Sequence, residues 1–423
     1  MPASAHFGPD RMRSIFLQGA SGKKPAIPID PAALEQAAEM ALSANAFNYI
    51  GGAAGTETTA RHNLEAFSRY RLHPRMLHNV AERSLGITLF GKNHPLPFLL
   101  APVGVLDLAH PNGELAVARA AAACGVTMIF SNQASHPMEA CAAEMGTARR
   151  WFQLYWSQSN DLVASLVRRA EACGCEAVVV TLDTTLLGWR PRDLAAGYLP
   201  FLEGRGIAQY TSDSVFQDML RTFAPPAGPK PRITLKSLHT LWQMLRRYPG
   251  GIREGIKEGK ARRAVQLFTQ TYSRPSLTWQ DLSFLRNLTS LPILLKGILH
   301  PEDARLALDH GLDGIIVSNH GGRQVDHSIA ALDALPAVVD AVQGRLPVLF
   351  DSGIRTGADA AIALALGAKA VCIGRPYAYG LALGGQAGVQ EVIENFTASL
   401  DLTLGLMGCA DVNQLNRSWL VEK

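Results

Sequence analysis

The chain has 423 residues, 48% hydrophobic and 18% charged, with a formal net charge of +4. This composition excludes a disordered or nucleic-acid-coating protein and fits one large α/β domain, 1–423, with embellishments. The six cysteines, at 124, 141, 173, 175, 372 and 409, read as reduced thiols, since the one close pair, Cys173 and Cys175, has no second pair at zinc-ligand spacing.

In chain order, MPASAHFGPDRMRSIF lacks the apolar core of a signal peptide, and no apolar run is long enough to cross a bilayer. The expected location is cytoplasmic, with neither membrane nor nucleic acid as partner. DPAALEQAAEMALSANAFNYI predicts a helix begun by Asp30 with Pro31 in its first turn. It belongs to an N-terminal helical segment, 1–95, and is expected to pack across one end of the fold.

Eight apolar runs of strand length then fall within 96–380. They are PFLLAPVG from Pro97, TMIFSN from Thr127, RWFQLYW from Arg150, AVVVTLD from Ala177, PILLKGI from Pro292, GIIVSNH from Gly314, PVLFDSG from Pro347 and AVCIGRP from Ala370. Runs that are apolar throughout suit parallel strands buried on both faces, and the alanine-rich segments between them predict a (β/α)8 TIM barrel. A doubly wound sheet competes, but no GxGxxG follows the first strand. About 115 residues separate the fourth and fifth runs, which places a long, lid-like insertion, 188–276, after strand 4. It is rich in Pro, Gly, Lys and Arg, including APPAGPKPR and a basic run from Arg253 to Arg263. A helical tail, 381–423, ends the chain.

The C-terminal strand ends of such a barrel form its active face. Here they carry Ser131 and Asn132, Gln153 and Tyr155, Thr181 and Asp183, Lys296, Ser318 to His320, Asp351, and Gly374 with Arg375. DSGIRTGAD and IGRP follow strands seven and eight, where glycines permit backbone approach and Arg355 and Arg375 supply charge, so a phosphate is expected there. Lys296 leaves two readings: an ammonium facing a flavin, or a Schiff-base lysine. In SNHGGRQVD, His320 can act as a base with Asp183 as its acidic partner. Arg323 and Arg190 can hold a carboxylate in bidentate geometry, and Gly321 and Gly322 form a turn without Cβ bulk. A phosphate, a lysine and a His/Arg pair fit oxidation of a small acid better than an aldol reaction.

Together these residues resemble the FMN-dependent L-2-hydroxy acid oxidising family. SNHGGRQVDHSIAALDALP is similar to the family signature, FNYIGGAAGTETTARHNLEAF to its N-terminal segment, and APVGVLDLAHPNGE, FQLYW and TLDTTLLGWRPRD to its first, third and fourth strands. The likeness runs from near Asn45 to Pro376. It implies that His320 removes the substrate hydroxyl proton while the α-hydrogen leaves for the flavin, and that Asp183 orients and stabilises protonated His320. Arg190, Arg323 and Tyr49 would hold the carboxylate, and Tyr155 the substrate oxygen. FMN would lie against Pro102, Val103, Gly104, Ser131, Gln153, Thr181, Lys296, Ser318 and Ser352, its phosphate meeting Asp351, Gly353, Arg355, Gly374 and Arg375. No metal is implied, and a homo-oligomer, tetramer or octamer, is.

Within that family GWRPRDLAAGYLPFLEGRGIAQYTSDSVF and the insertion resemble the lactate 2-monooxygenase branch. There a lid over the site would retain the keto acid, so that L-lactate and O2 yield acetate, carbon dioxide and water. Gly104, lacking a Cβ, is expected to leave room beside the flavin. The alternatives are an oxidase or dehydrogenase that releases the 2-keto acid, and a non-redox FMN- or phosphate-binding isomerase or lyase. NQAS, Asn132–Ser135, departs from an aromatic-containing segment of the family, which leaves the substrate's side-chain size open.

Overall fold

The computed structural model describes residues 7–225 and 233–423, so most of APPAGPKPR and the first six residues of the N-terminal stretch lie outside the described residues. Eight parallel strands close into a barrel in sequence order: β1 (Phe98–Leu100), β2 (Thr127–Phe130), β3 (Arg150–Leu154), β4 (Val178–Thr181), β5 (Ile293–Ile298), β6 (Gly314–Val317), β7 (Val348–Phe350) and β8 (Ala370–Ile373). Each falls inside one of the eight apolar runs. Every residue of β2, β4, β6 and β8 is buried, because one face fills the barrel and the other meets surrounding helices.

One irregularity shapes the mouth. The β5/β6 register shifts between Lys296 and Ile298, and Gly297 there has φ +108°. A Cβ on Gly297 would stand 3.0 Å from Asp183 Cβ. Glycine therefore lets the chain leaving β4 press on β5, bringing Asp183 and Lys296 to one spot.

The N-terminal segment differs from the expected single helical pattern. After α1 (Phe7–Ala20), α2 (Pro31–Ala41) starts as anticipated, with Asp30 accepting from Ala33 N, but it stops at Leu42. Ser43 then caps a new helix, α3 (Ala44–Gly51), accepting from Ala46 N. The break separates two tasks. α2 packs on the long C-terminal helix, whereas α3 carries Tyr49 to the mouth. The segment is also not wholly helical: Ile87–Leu89 and Lys92–His94 form a hairpin whose Phe90 reaches Trp151 at the opposite end of the barrel.

Between α3 and this hairpin, α4 (Thr58–Glu65) locks onto the turn after β6. Asn63 and Asn319 exchange amide hydrogen bonds of 2.7 and 2.8 Å, and Asp326 accepts from Thr58 N at 2.9 Å. Gly322 has φ +78°, and a Cβ there would lie 2.6 Å from Ala60 N. Gly322→Ala is accordingly expected to destabilise the protein by about 2 kcal/mol or more in denaturant unfolding. Wild-type stability would contradict this packing argument.

The insertion after β4 contains α5 (Pro191–Ala196), α6 (Ser214–Thr222), α7 (Leu235–Arg247), α8 (Gly251–Ile256) and α9 (Lys260–Thr271). At the far end of the chain, α10 (Arg375–Met407) runs through the expected boundary between barrel and tail, kinking at Gly384 and Gly385. Leu420–Glu422 then pairs antiparallel with Tyr70–Leu72. All six cysteines are free, and burial pushes the Cys124 thiol up to about 12. Among the described residues no His/Cys/Asp/Glu group has metal-site geometry, and no helix is long and apolar enough to cross a membrane.

Candidate active site

The strand ends surround a cleft of about 1160 Å³, a volume that includes open solvent at its mouth. Every site residue singled out from the sequence lines it except Asn132, Gln153, Asp183, Ser318, Asn319 and Gly322, which stand behind the wall. Gln153, Asp183 and Ser318 brace the lining, directly or through one neighbour. Gln153 Oε1 accepts from Asn132 N, and Asn132 Oδ1 accepts from Tyr155 N, which stitches the β2 and β3 loops together. Ser318 accepts from Lys296 Nζ at 2.8 Å and from His320 N at 3.0 Å. Asp183 holds the histidine.

His320 sits at φ +59°, a left-handed conformation that costs energy for a residue with a Cβ and is held by its surroundings. Its Nδ1 is 2.7 Å from Asp183 Oδ1, with Thr184 Oγ1 at 3.3 Å. Burial lowers the His320 pKa, the Asp183 charge opposes this, and Lys296 and Arg190 add to the lowering. For Asp183, burial raises the pKa, but His320 and Lys296 outweigh it and hold the carboxyl at about 2. The result is a carboxylate beside a neutral imidazole that donates from Nδ1, leaving Nε2 free to accept a proton.

Lys296 resolves its two readings. Its Nζ lies 3.1 Å from Asp351 Oδ2 and 3.9 Å from Asp183 Oδ2. Burial works against the charge, but the two carboxylates raise its pKa above the ordinary lysine value. A fixed ammonium cannot act as the neutral amine of a Schiff base. The same contact corrects the expectation for Asp351. Its carboxylate serves Lys296 and accepts from Ser352 Oγ at 2.8 Å, and it would repel a phosphate.

The arginines form two anion sites. Arg323 stacks over Tyr49 at 5.2 Å and donates to Gly52 O, and Arg190 donates to Gln324 Oε1 and to Arg323 O. Burial first, then the Arg190 charge, pulls the Arg323 pKa down to about 9, so this pair is short of negative charge. A substrate carboxylate would supply it. On the far side Arg355 is likewise lowered by burial and by Arg375. Arg375 is more committed than expected, donating to the carbonyls of Ile50, Gly321 and Gly52. It ties α3 to the His320 turn while its charge still faces the cleft.

Residues 38–422 match the sequence profile of the FMN-dependent dehydrogenases. The chain belongs to that family. The match extends well beyond the segment whose motifs carry the resemblance. The chain is 41% identical to the L-lactate oxidase of Lysinibacillus sphaericus (strain C3-41), over 96% of each chain. It is 37% identical to human 2-hydroxyacid oxidase 1, over 92% of this chain and 95% of that one. The crystal structure of mandelate oxidase with (S)-4-hydroxymandelic acid superposes with a TM-score of 0.77 at 36% identity, covering 94% of this chain and 99% of that one. The protein is thus an oxidoreductase that uses FMN to oxidise a 2-hydroxy acid.

The cleft fits that cofactor. Thr181 Oγ1, Gln153 Nε2 and Asn132 Nδ2 are buried without hydrogen-bond partners, an arrangement that a polar ring edge would relieve. Sequence reasoning missed Thr184, which lines the cleft and donates to Asp183 Oδ1, and Gln324, which positions Arg190. Thr184 directly follows Asp183, so the signal was adjacency. Gln324 gave none.

Proposed function

We infer that the 2-hydroxy acid is L-lactate and that its keto acid is decarboxylated before release, as in a lactate 2-monooxygenase. The observation that carries this is the aromatic wall that the insertion builds against the cleft. Phe201, Phe268 and Tyr272 pack with centroids 5.1–6.5 Å apart, Phe201 meets Tyr49 edge-on at 6.4 Å, and Tyr272 lines the cleft. Ring packing of this kind excludes water and slows escape.

FMN, when bound, accepts the hydrogen and electrons from the substrate carbon and passes them to O2. Thr181, Gln153 and the backbone of Pro102 to Gly104 would meet its ring, and Arg355, Gly353, Gly374 and Arg375 its phosphate. Lys296 would offset negative charge that develops on reduction, and Asp351 can accept from hydroxyl groups. Arg190 and Arg323 hold the lactate carboxylate. Tyr155, whose phenol burial keeps protonated, donates to the substrate oxygen, and His320 Nε2 takes the hydroxyl proton. Oxidation gives pyruvate and hydrogen peroxide. Trapped together, these yield acetate, carbon dioxide and water.

Gly104 bears on this differently than expected. A Cβ there would stand 2.8 Å from Gln133 O, so the space that the glycine leaves is filled by the neighbouring loop. A second reading, release of pyruvate and peroxide, is favoured by the likeness to an L-lactate oxidase, which is 41% identical over 96% of each chain. Quantifying acetate, pyruvate and peroxide from L-lactate in air decides between them. Acetate without peroxide supports the monooxygenase, and stoichiometric pyruvate with peroxide refutes it.

The lowered His320 pKa fixes a pH response. Only the neutral ring is a base, so kcat/KM should fall as pH drops through a value below the ordinary 6.5 for histidine. Flavin reduction measured across pH tests this. A limb above that value would mean that Asp183, not burial, dominates.

A further inference from the structure

Helix α7 leaves most of its apolar side chains outside. Its inward side carries half-buried Thr240, Gln243, Met244 and Arg247, and one buried apolar residue, Leu245. Arg247 Nε donates to Asp107 Oδ2 at 3.2 Å, and Asp107 also takes Arg205 and the Ser135 hydroxyl. This ionic tie to the loop after β1, together with buried Leu245, sets the rotation of the helix, and four of its six apolar side chains consequently face away from the protein. Leu235 is 87% exposed, Leu238 52%, Leu241 40% and Trp242 43%, at the spacing of a single helical stripe. Ordinary surface helices bury that stripe. The next helix, α8, adds exposed Ile252 and Ile256.

Charge accompanies the stripe. Residues 233–274 hold nine Lys or Arg against two Glu, in a chain whose whole net charge is +4. Lys236, Arg246, Arg253 and Arg262 are exposed, and Arg246 lies 4.5 Å over the Trp242 ring.

We propose that this face docks on an anionic lipid surface, with the Leu235–Trp242 stripe at the headgroup–acyl boundary and the flanking basic side chains on lipid phosphates. Charge selects this occupant. A symmetric contact with a second copy would press two strongly basic segments together, whereas an anionic bilayer satisfies both the apolar and the charged part of the face. Since no described helix can span a bilayer, attachment is in the membrane plane and reversible. The proposal is independent of which 2-hydroxy acid is oxidised.

The test is co-sedimentation of the FMN-loaded enzyme with vesicles of phosphatidylglycerol and phosphatidylcholine, compared with phosphatidylcholine alone. Binding to the anionic vesicles is expected to be at least about tenfold stronger and to be lost in high salt. Leu238→Glu/Trp242→Glu should weaken it at least about tenfold with turnover unchanged. Arg246→Glu/Arg253→Glu, which leaves the apolar stripe intact, should do the same and guards against misfolding of the first variant. No sedimentation with anionic vesicles at low salt, or equal sedimentation of all variants, overturns the proposal. So does a change of oligomeric state in the Leu238/Trp242 variant without vesicle binding, which would assign the face to a second copy.

Discussion

His320→Ala is expected to slow reduction of the bound flavin by L-lactate about 10²–10⁴-fold while FMN remains bound. The size of the effect follows from the absence of a substitute. Asp183 is held ionised at about 2, but it lies behind the cleft wall with Oδ1 engaged by His320 and Thr184. Lys296 is fixed as an ammonium, and burial keeps Tyr155 protonated. No other group at this point can take a proton. Retention of FMN follows because the Ser318 hydroxyl still accepts from Lys296 Nζ and from the residue 320 backbone. Anaerobic stopped-flow reduction, with the flavin spectrum as the binding control, measures both. Reduction at the wild-type rate would remove His320 from the mechanism.

Asp183→Asn should fall between wild type and the alanine variant. It keeps the hydrogen bond that orients the ring but removes the charge that stabilises imidazolium.

The sequence made the barrel legible because each strand is buried on both faces, and such strands read as unbroken apolar runs. His320, Arg323, Lys296 and Asp183 were legible for a related reason: charged or titratable groups directly after apolar runs can only be strand-end groups. What stayed hidden depends on contacts between distant segments. The Asn63–Asn319 pair spans 256 positions, and nothing local to either residue points to the other. Asp351 was assigned to a phosphate because its neighbours are glycines and an arginine, but its charge is consumed by Lys296 across the barrel. The stop between α2 and α3 was written in Ser43, a capping residue inside an otherwise continuous helical pattern, and apolar periodicity masked it. Gly297 reads as an ordinary strand glycine until the approach of Asp183 shows what its missing Cβ allows.

Lys296→Met should produce the largest loss of stability together with a shift in the chemistry. Removing one partner of a buried ion pair costs about 3–5 kcal/mol, because the remaining charge keeps its desolvation penalty and loses its compensation. Here two carboxylates, Asp351 and Asp183, are left facing each other's neighbourhood without the ammonium. Asp183, which Lys296 helps to hold low, must rise in pKa. Asp183 at present lies below its ordinary 3.8, so it contributes stability that is complete above that value and is lost as pH falls through about 2. In the variant this contribution shrinks, and protonation relieves the repulsion. The melting-temperature gap between wild type and variant should therefore be widest near neutrality and narrow as pH falls into the carboxylate range. His320 responds in the opposite sense to its present state. Lys296 is one of the charges that lowers its pKa, so the acid limb of flavin reduction should move to higher pH in the variant. The bound flavin should also become harder to reduce, since the charge expected to offset its reduced form is gone. A gap in melting temperature that is the same at every pH would mean that Lys296 acts through packing alone, and the charge assignment at the centre of the cleft would fall with it.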